Sequence, residues 1–228
     1  GAVTGPLLLG AALPFGQRMG SSASYVVPLD LADSEATVFV RVRTRSSMQV
    51  PLELWTRDAF ENHERGVTLF HGAYLGVVVA MLLYNILLYA LIRERAYVWY
   101  IGWVVFMALL VITINGMAFQ WLWPNLPWLS FAVVPVALSL AIACASRFFI
   151  RFLNERGASV RLFQFIVLGC LAVALASLGL PFQVSVIAAI AMAMLMVGCA
   201  VCIAAWRARQ GLAAASYFLM AFSFVIAG

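Results

Sequence analysis

The sequence predicts a membrane-embedded all-α helical bundle of six spans, out of an expected seven, preceded by part of an extracytoplasmic β-sandwich. Three observations predict it. First, 65% of the 228 residues are hydrophobic and only 10% are charged. A soluble domain carries about 25% charged residues, so neither a soluble globular protein nor a disordered one can be built from this chain. Second, beyond Gly66 the apolar runs reach about twenty residues, the length needed to cross a ~30 Å hydrocarbon core. Third, the composition changes near Gly66: six Arg and seven acids lie before it, and eight Arg with only Glu94 and Glu155 after it.

Residues 1–60 read as the C-terminal part of the sandwich. Val38, Val40 and Val42 alternate with Phe39, Arg41, Arg43 and Arg45, which is the period of a strand. Ala23–Leu29 and Gln49–Trp55 are two more short runs rich in Val, Leu and aromatics, and a fourth lies near Leu7–Leu13. Asp30, Asp33 and Ser34, then Ser46 and Ser47, supply turns between them. Three or four strands close no sandwich, so the rest of the sheet is expected upstream. The apolar stretch Pro6–Phe15 is interrupted by Gly10 and Pro14 and is too short to span. Residues 61–68 form the tail of a polar connector that starts at Asp58 and leads to the membrane.

The spans run about 69–92, 97–119, 128–149, 162–180, 182–206 and 212–228. The loops after spans one, three and five hold Arg93, Arg95, Arg147, Arg151, Arg156, Arg161, Arg207 and Arg209, and the other loops hold none. Cytoplasmic loops carry the excess of basic residues, so this asymmetry places the N-terminal region of a multi-pass protein outside the cytoplasm. Trp99, Trp103 and Trp206 at inner edges and Trp121, Trp123 and Trp128 at an outer edge fit interfacial belts. With the N-terminus outside, a seventh span would bring the chain into the cytoplasm. Both ends of the sequence read as cut edges of a longer protein.

The spans contain no Asp, Glu, Lys or Arg in their interiors, which argues against a pump or ion-coupled transporter. No catalytic constellation, phosphate-binding loop or metal-ligand spacing is found, and His63 and His71 alone make no metal site. No catalytic residue, metal or cofactor is therefore assigned. Cys199 and Cys202 form a C-x-x-C inside an apolar run and read, like Cys144 and Cys170, as buried small hydrophobes. Tyr84, Asn85 and Asn115 are polar groups within spans that want hydrogen-bonded partners in lipid. They read first as interhelical packing contacts and, more sharply, as signal-switch candidates. Gly72 and Gly76 form a GxxxG, and Ala137, Ala141 and Ala145 a small-residue stripe, both suited to close helix approach. Arg41 and Arg43, in a basic row, and Trp55 are the ligand-binding candidates, although a solvated sheet face opposite the valines is the first reading of that row.

The run Leu69-Phe-His-Gly-Ala-Tyr-Leu-Gly76, then Leu83-Tyr-Asn-Ile-Leu-Leu-Tyr89 and Arg93-Glu-Arg-Ala-Tyr-Val-Trp-Tyr100, resembles the bacterial seven-transmembrane receptors with diverse intracellular signalling modules (7TMR-DISM). So does Gly116 followed by Gln120-Trp-Leu-Trp-Pro124. Upstream, Leu13-Pro-Phe, Tyr25-Val-Val-Pro-Leu29, Val38-Phe-Val-Arg41 and Pro51-Leu-Glu-Leu-Trp55 resemble the end of that family's extracytoplasmic sandwich. The resemblance implies a sensory receptor that passes an external signal to a cytoplasmic output, often a diguanylate cyclase or histidine kinase, which lies outside this chain. The expected partners are the lipid bilayer, a small-molecule ligand that analogy makes carbohydrate-like, and a second copy in a homodimer, with no nucleic acid. A transporter or channel with a β ectodomain is the alternative.

Overall fold

A computed structural model describes residues 8–10, 13–18, 22, 24–29, 39–42 and 51–227. α1 (Arg57–Ile92) begins earlier than the apolar run suggests. Thr56 caps it by accepting from the Ala59 amide, Asp58 sits in the first turn, and Arg57 pairs with Glu61 one turn on. The polar residues from Asp58 to Arg65 are therefore helical, and no loop separates them from the first span. At 36 residues α1 is about 54 Å long. It overshoots a ~30 Å core, so its polar first turns project beyond the membrane. Its end is a left-handed residue, Arg93 at φ 55°.

α2 (Arg95–Ile114) stops five residues short of the expected Phe119. Gly116 at φ 75° takes the left-handed conformation that only glycine adopts cheaply, and the chain restarts as the short α3 (Met117–Trp121). α4 (Pro127–Phe152) opens on proline, where the missing amide costs nothing. Pro135 lies inside α4, which runs unbroken past it. α5 (Ala158–Ala176), α6 (Phe182–Arg209) and α7 (Ala213–Ala227) follow. α1, α2, α4, α5 and α6 are each long and apolar enough to cross a membrane. α7 is shorter, at 15 residues.

Among the described residues no strand forms. Residues 25–29, 39–42 and 51–55 lack the backbone pairing that defines one, and Phe39, Leu52 and Leu54 are exposed. Alternation gives a segment two faces but no partner, and a strand exists only beside a second one. Val38, Arg43 and Arg45 lie outside the described residues, as do the turn residues at 30–34 and 46–47.

α4 is the hub, packed against α2, α3, α5 and α6; α1 leans on α2 and α7 on α6. Small residues make up much of what is buried: Ala137, Ala141, Ser139 and Ser146 of α4, Ala189, Ala200 and Ala204 of α6. Large aliphatic side chains face outward, as suits a bundle whose surroundings are as apolar as leucine. The alanine stripe on α4 is thus an internal contact. Gly102 of α2 packs so close to α4 that a Cβ there would lie 2.9 Å from Cys144 Sγ. Gly72 and Gly76, by contrast, have open space around them. Of the cysteines, all free, Cys170 is buried and Cys202 is exposed, which departs from the reading of all four as interior. A larger core fills the Arg-rich end of the bundle, where Phe149 meets Phe163 of α5 and Phe218 of α7.

Candidate functional site

The chemistry of this chain is that of a coupled bundle, and the described residues place polar contacts at three depths. At the outer end Phe15 and Arg18 are docked on α3. Pro14 directs the chain into a single 3-10 turn at Phe15–Gln17. The Phe15 amide donates to the Pro124 carbonyl at 2.9 Å, and its ring meets Phe119 edge-on with centroids 5.8 Å apart. The Arg18 guanidinium lies over Phe15, Phe119 and Tyr25, at 4.8, 5.3 and 4.3 Å from the ring centroids, and donates to the Tyr25 hydroxyl. Phe119 is itself buried. A cation among three aromatic faces forms a compact, orientation-dependent joint. Nearby, the Trp123 indole donates to Ser130 Oγ at 2.9 Å, tying the outer loop to the start of α4.

Within the membrane, several polar side chains donate to carbonyls of their own helices. Asn85 Nδ2 donates to the Met81 carbonyl and Asn115 Nδ2 to the Val111 carbonyl, each at 2.8 Å. Thr113 and Ser146 do the same, to Leu109 and Ile142. In lipid the carbonyl four residues back is the nearest acceptor, so one donor of each amide is satisfied without a neighbouring helix. Asn85 is buried, seven residues from Val78 on the same face of α1. Tyr84, one position earlier, points about 100° away and is exposed. Asn115 is the C-cap of α2 and is exposed. The three polar candidates therefore share no site. Asn85→Leu is expected to cost little stability, comparable to the ~0.6 kcal/mol that polar contacts between membrane helices average, read as thermal melting in detergent; a loss as large as a core cavity would contradict this.

At the Arg-rich end lies a feature that sequence spacing did not reveal. Glu155, in the α4–α5 loop, accepts from both Nε and Nη2 of Arg207 near the end of α6, the second contact at 3.1 Å. Arg207 also donates to Gln210. The Glu155 side chain is 1% exposed and that of Arg207 30%. The fork geometry fixes the loop against α6 in one orientation. Glu155 was conspicuous only as one of two acids after Gly66. Phe15, Arg18 and Phe119 carried no signal in the sequence, since their meeting is purely tertiary.

Of the ligand-binding candidates, Arg43 lies outside the described residues. Arg41 is exposed and takes no part in these contacts among the described residues. Trp55 donates to Glu53 at 2.9 Å and stacks on His63 with centroids 4.9 Å apart, so it braces the first turns of α1. His71 lies edge-on to Phe70. Among the described residues no three His, Cys, Asp or Glu are grouped as metal ligands.

A family model described as 7TM diverse intracellular signalling matches residues 67–228. A second, described as 7TMR-DISM extracellular 2, matches residues 4–56. No curated protein and no solved structure matches the chain.

Proposed function

Because the chain belongs to the 7TM diverse intracellular signalling family of transmembrane sensory receptors, we propose that it senses a ligand outside the cytoplasm and drives an output module inside. The ligand is proposed to be a small molecule, carbohydrate-like by analogy with sugar-binding sandwiches. The output is a diguanylate cyclase or a histidine kinase, and the setting is a bacterial inner membrane with the receptor acting as a homodimer. Transmission requires a ligand that binds two packings of the bundle with different affinity.

The observation that carries this reading is the docking of Phe15 and Arg18 on Phe119. It joins the extracellular match directly to α3, which packs on α2 and on the hub helix α4. A shift of the outer segment is then felt by the helix that contacts most of the others. A second link is covalent: residues 57–66, between the two family matches, are helical turns of α1.

The test is Phe119→Ala in the full-length receptor, with output read as cyclic di-GMP or autophosphorylation according to the module its gene encodes. Basal output is expected to shift severalfold with receptor abundance in the membrane unchanged, since about 1.4 kcal/mol of bias is a tenfold change in a two-state balance. Wild-type output from a normally inserted variant would contradict the reading.

A further inference from the structure

A cavity of about 580 Å³ opens at the Arg-rich end of the bundle, between the α1–α2 turn, the last turns of α4, the α4–α5 loop and the start of α5. That volume is within the usual range of small-ligand sites. Three of its lining side chains are cationic: Arg147 and Arg151, four residues apart on one face of α4, and Arg156 from the loop. Two carboxylates also line it, but their status differs. Glu155 is already held by both prongs of Arg207. Glu94, at the head of α2, is left as one acid against three arginines. Among the described residues, the ion pairs are Arg57–Glu61 and Arg207–Glu155, so none of the three arginines has a carboxylate partner. Arg147 lies 5.9 Å from the Trp99 ring centroid, at the edge of a cation–π contact.

A single arginine would suffice to complement the C-terminal dipole of α4. Three around one cavity exceed that need. The first turn of α5 adds to the positive potential: Gly157 is its N-cap, no side chain caps it, and no acid lies in its first turn. Val160 and Gln164 of α5 form part of the wall. Amide N–H groups at such an end favour an anion.

We propose that this cavity binds a phosphate-bearing anion. Arg151 and Arg156 would chelate its oxygens, for which the guanidinium fork is well shaped, and Arg147 would lie behind them. Because the site opens where helix ends reach the membrane surface, the headgroup of an anionic phospholipid is one source and soluble phosphate the other.

The experiment titrates the purified chain, in zwitterionic detergent, with phosphatidylglycerol, with phosphatidylcholine and with inorganic phosphate. Bound lipid is counted by native mass spectrometry and phosphate is followed calorimetrically. Arg151→Gln and Arg156→Gln remove one charge each from the cavity, and Arg209→Gln removes the same charge away from it. Arg151 and Arg156 are exposed, so their replacement leaves the melting temperature nearly unchanged. Each cavity variant is expected to weaken binding about fivefold, Arg209→Gln by less than twofold, and Arg151→Lys less than Arg151→Gln. Phosphatidylglycerol bound in preference to phosphatidylcholine, with this arginine dependence, identifies the lipid headgroup. Phosphate bound with the same dependence identifies the soluble anion. Saturable binding of neither, or an equal loss in Arg209→Gln, overturns the proposal.

Discussion

Arg207→Met is expected to destabilise the bundle, because it leaves the Glu155 carboxylate without the guanidinium that holds it. The effect follows from burial. The Glu155 side chain is 1% exposed, so removing its only ion-pair partner among the described residues strands a carboxylate away from water. Arg207 is 30% exposed, which lets water reach part of the gap and limits the loss. The pair itself is worth less than its rupture costs, because both charges were desolvated to form it. The double variant Arg207→Met with Glu155→Gln is therefore expected to recover most of the stability. Thermal melting in detergent across the four members of the cycle measures this. A double variant as unstable as Arg207→Met alone would show that packing of the arginine stem, and not charge, sets the loss.

Phe149→Ala is expected to cost on the order of 2 kcal/mol, less than in a water-soluble core, because packing and not transfer from water is what is lost. Phe149 is 1% exposed, and its ring touches Phe163 and Phe218 with both centroids 5.1 Å away. It thus joins α4 to α5 and to α7, and truncation leaves a cavity that three helices line. Phe165 is the natural control, 71% exposed on α5. Phe165→Ala is expected to change the melting temperature little, because the lost ring faced the surroundings and no helix. Equal losses at 149 and 165 would mean that the hub packing carries no more stability than the outer face.

What the sequence revealed was what the bilayer dictates. Hydrocarbon thickness sets the length of an apolar run, so α1, α4, α5 and α6 were legible as spans, and the arginines marked their shared end. The upstream start of α1 was less visible because its first turns are polar and have no apolar period, although Thr56, Asp58 and the Arg57–Glu61 spacing are helix-start chemistry. The early stop of α2 turned on one residue: Gly116 lies in an apolar run, and hydropathy does not register its backbone conformation. The valine alternation before residue 43 promised strands, and the described residues form none, because pairing depends on a neighbour that a local pattern cannot supply. Asn85 was legible as a buried polar group, but its bond to Met81 within α1 was not foreseen. The Glu155–Arg207 pair spans 52 positions, a distance at which no local pattern operates.

On the proposed reading the chain crosses the membrane with the extracellular match on one side and the Arg-rich loops on the other. The direct measurement is labelling of single cysteines at Asn62, exposed in the projecting turns of α1, and at Ser159, in the first turn of α5. Cys144, Cys170, Cys199 and Cys202 are first replaced, and the reagent is membrane-impermeant, applied to intact cells whose outer membrane alone is permeabilised. The account predicts labelling at 62 and none at 159 until the inner membrane is opened. Labelling at 159 with protection at 62 would contradict it.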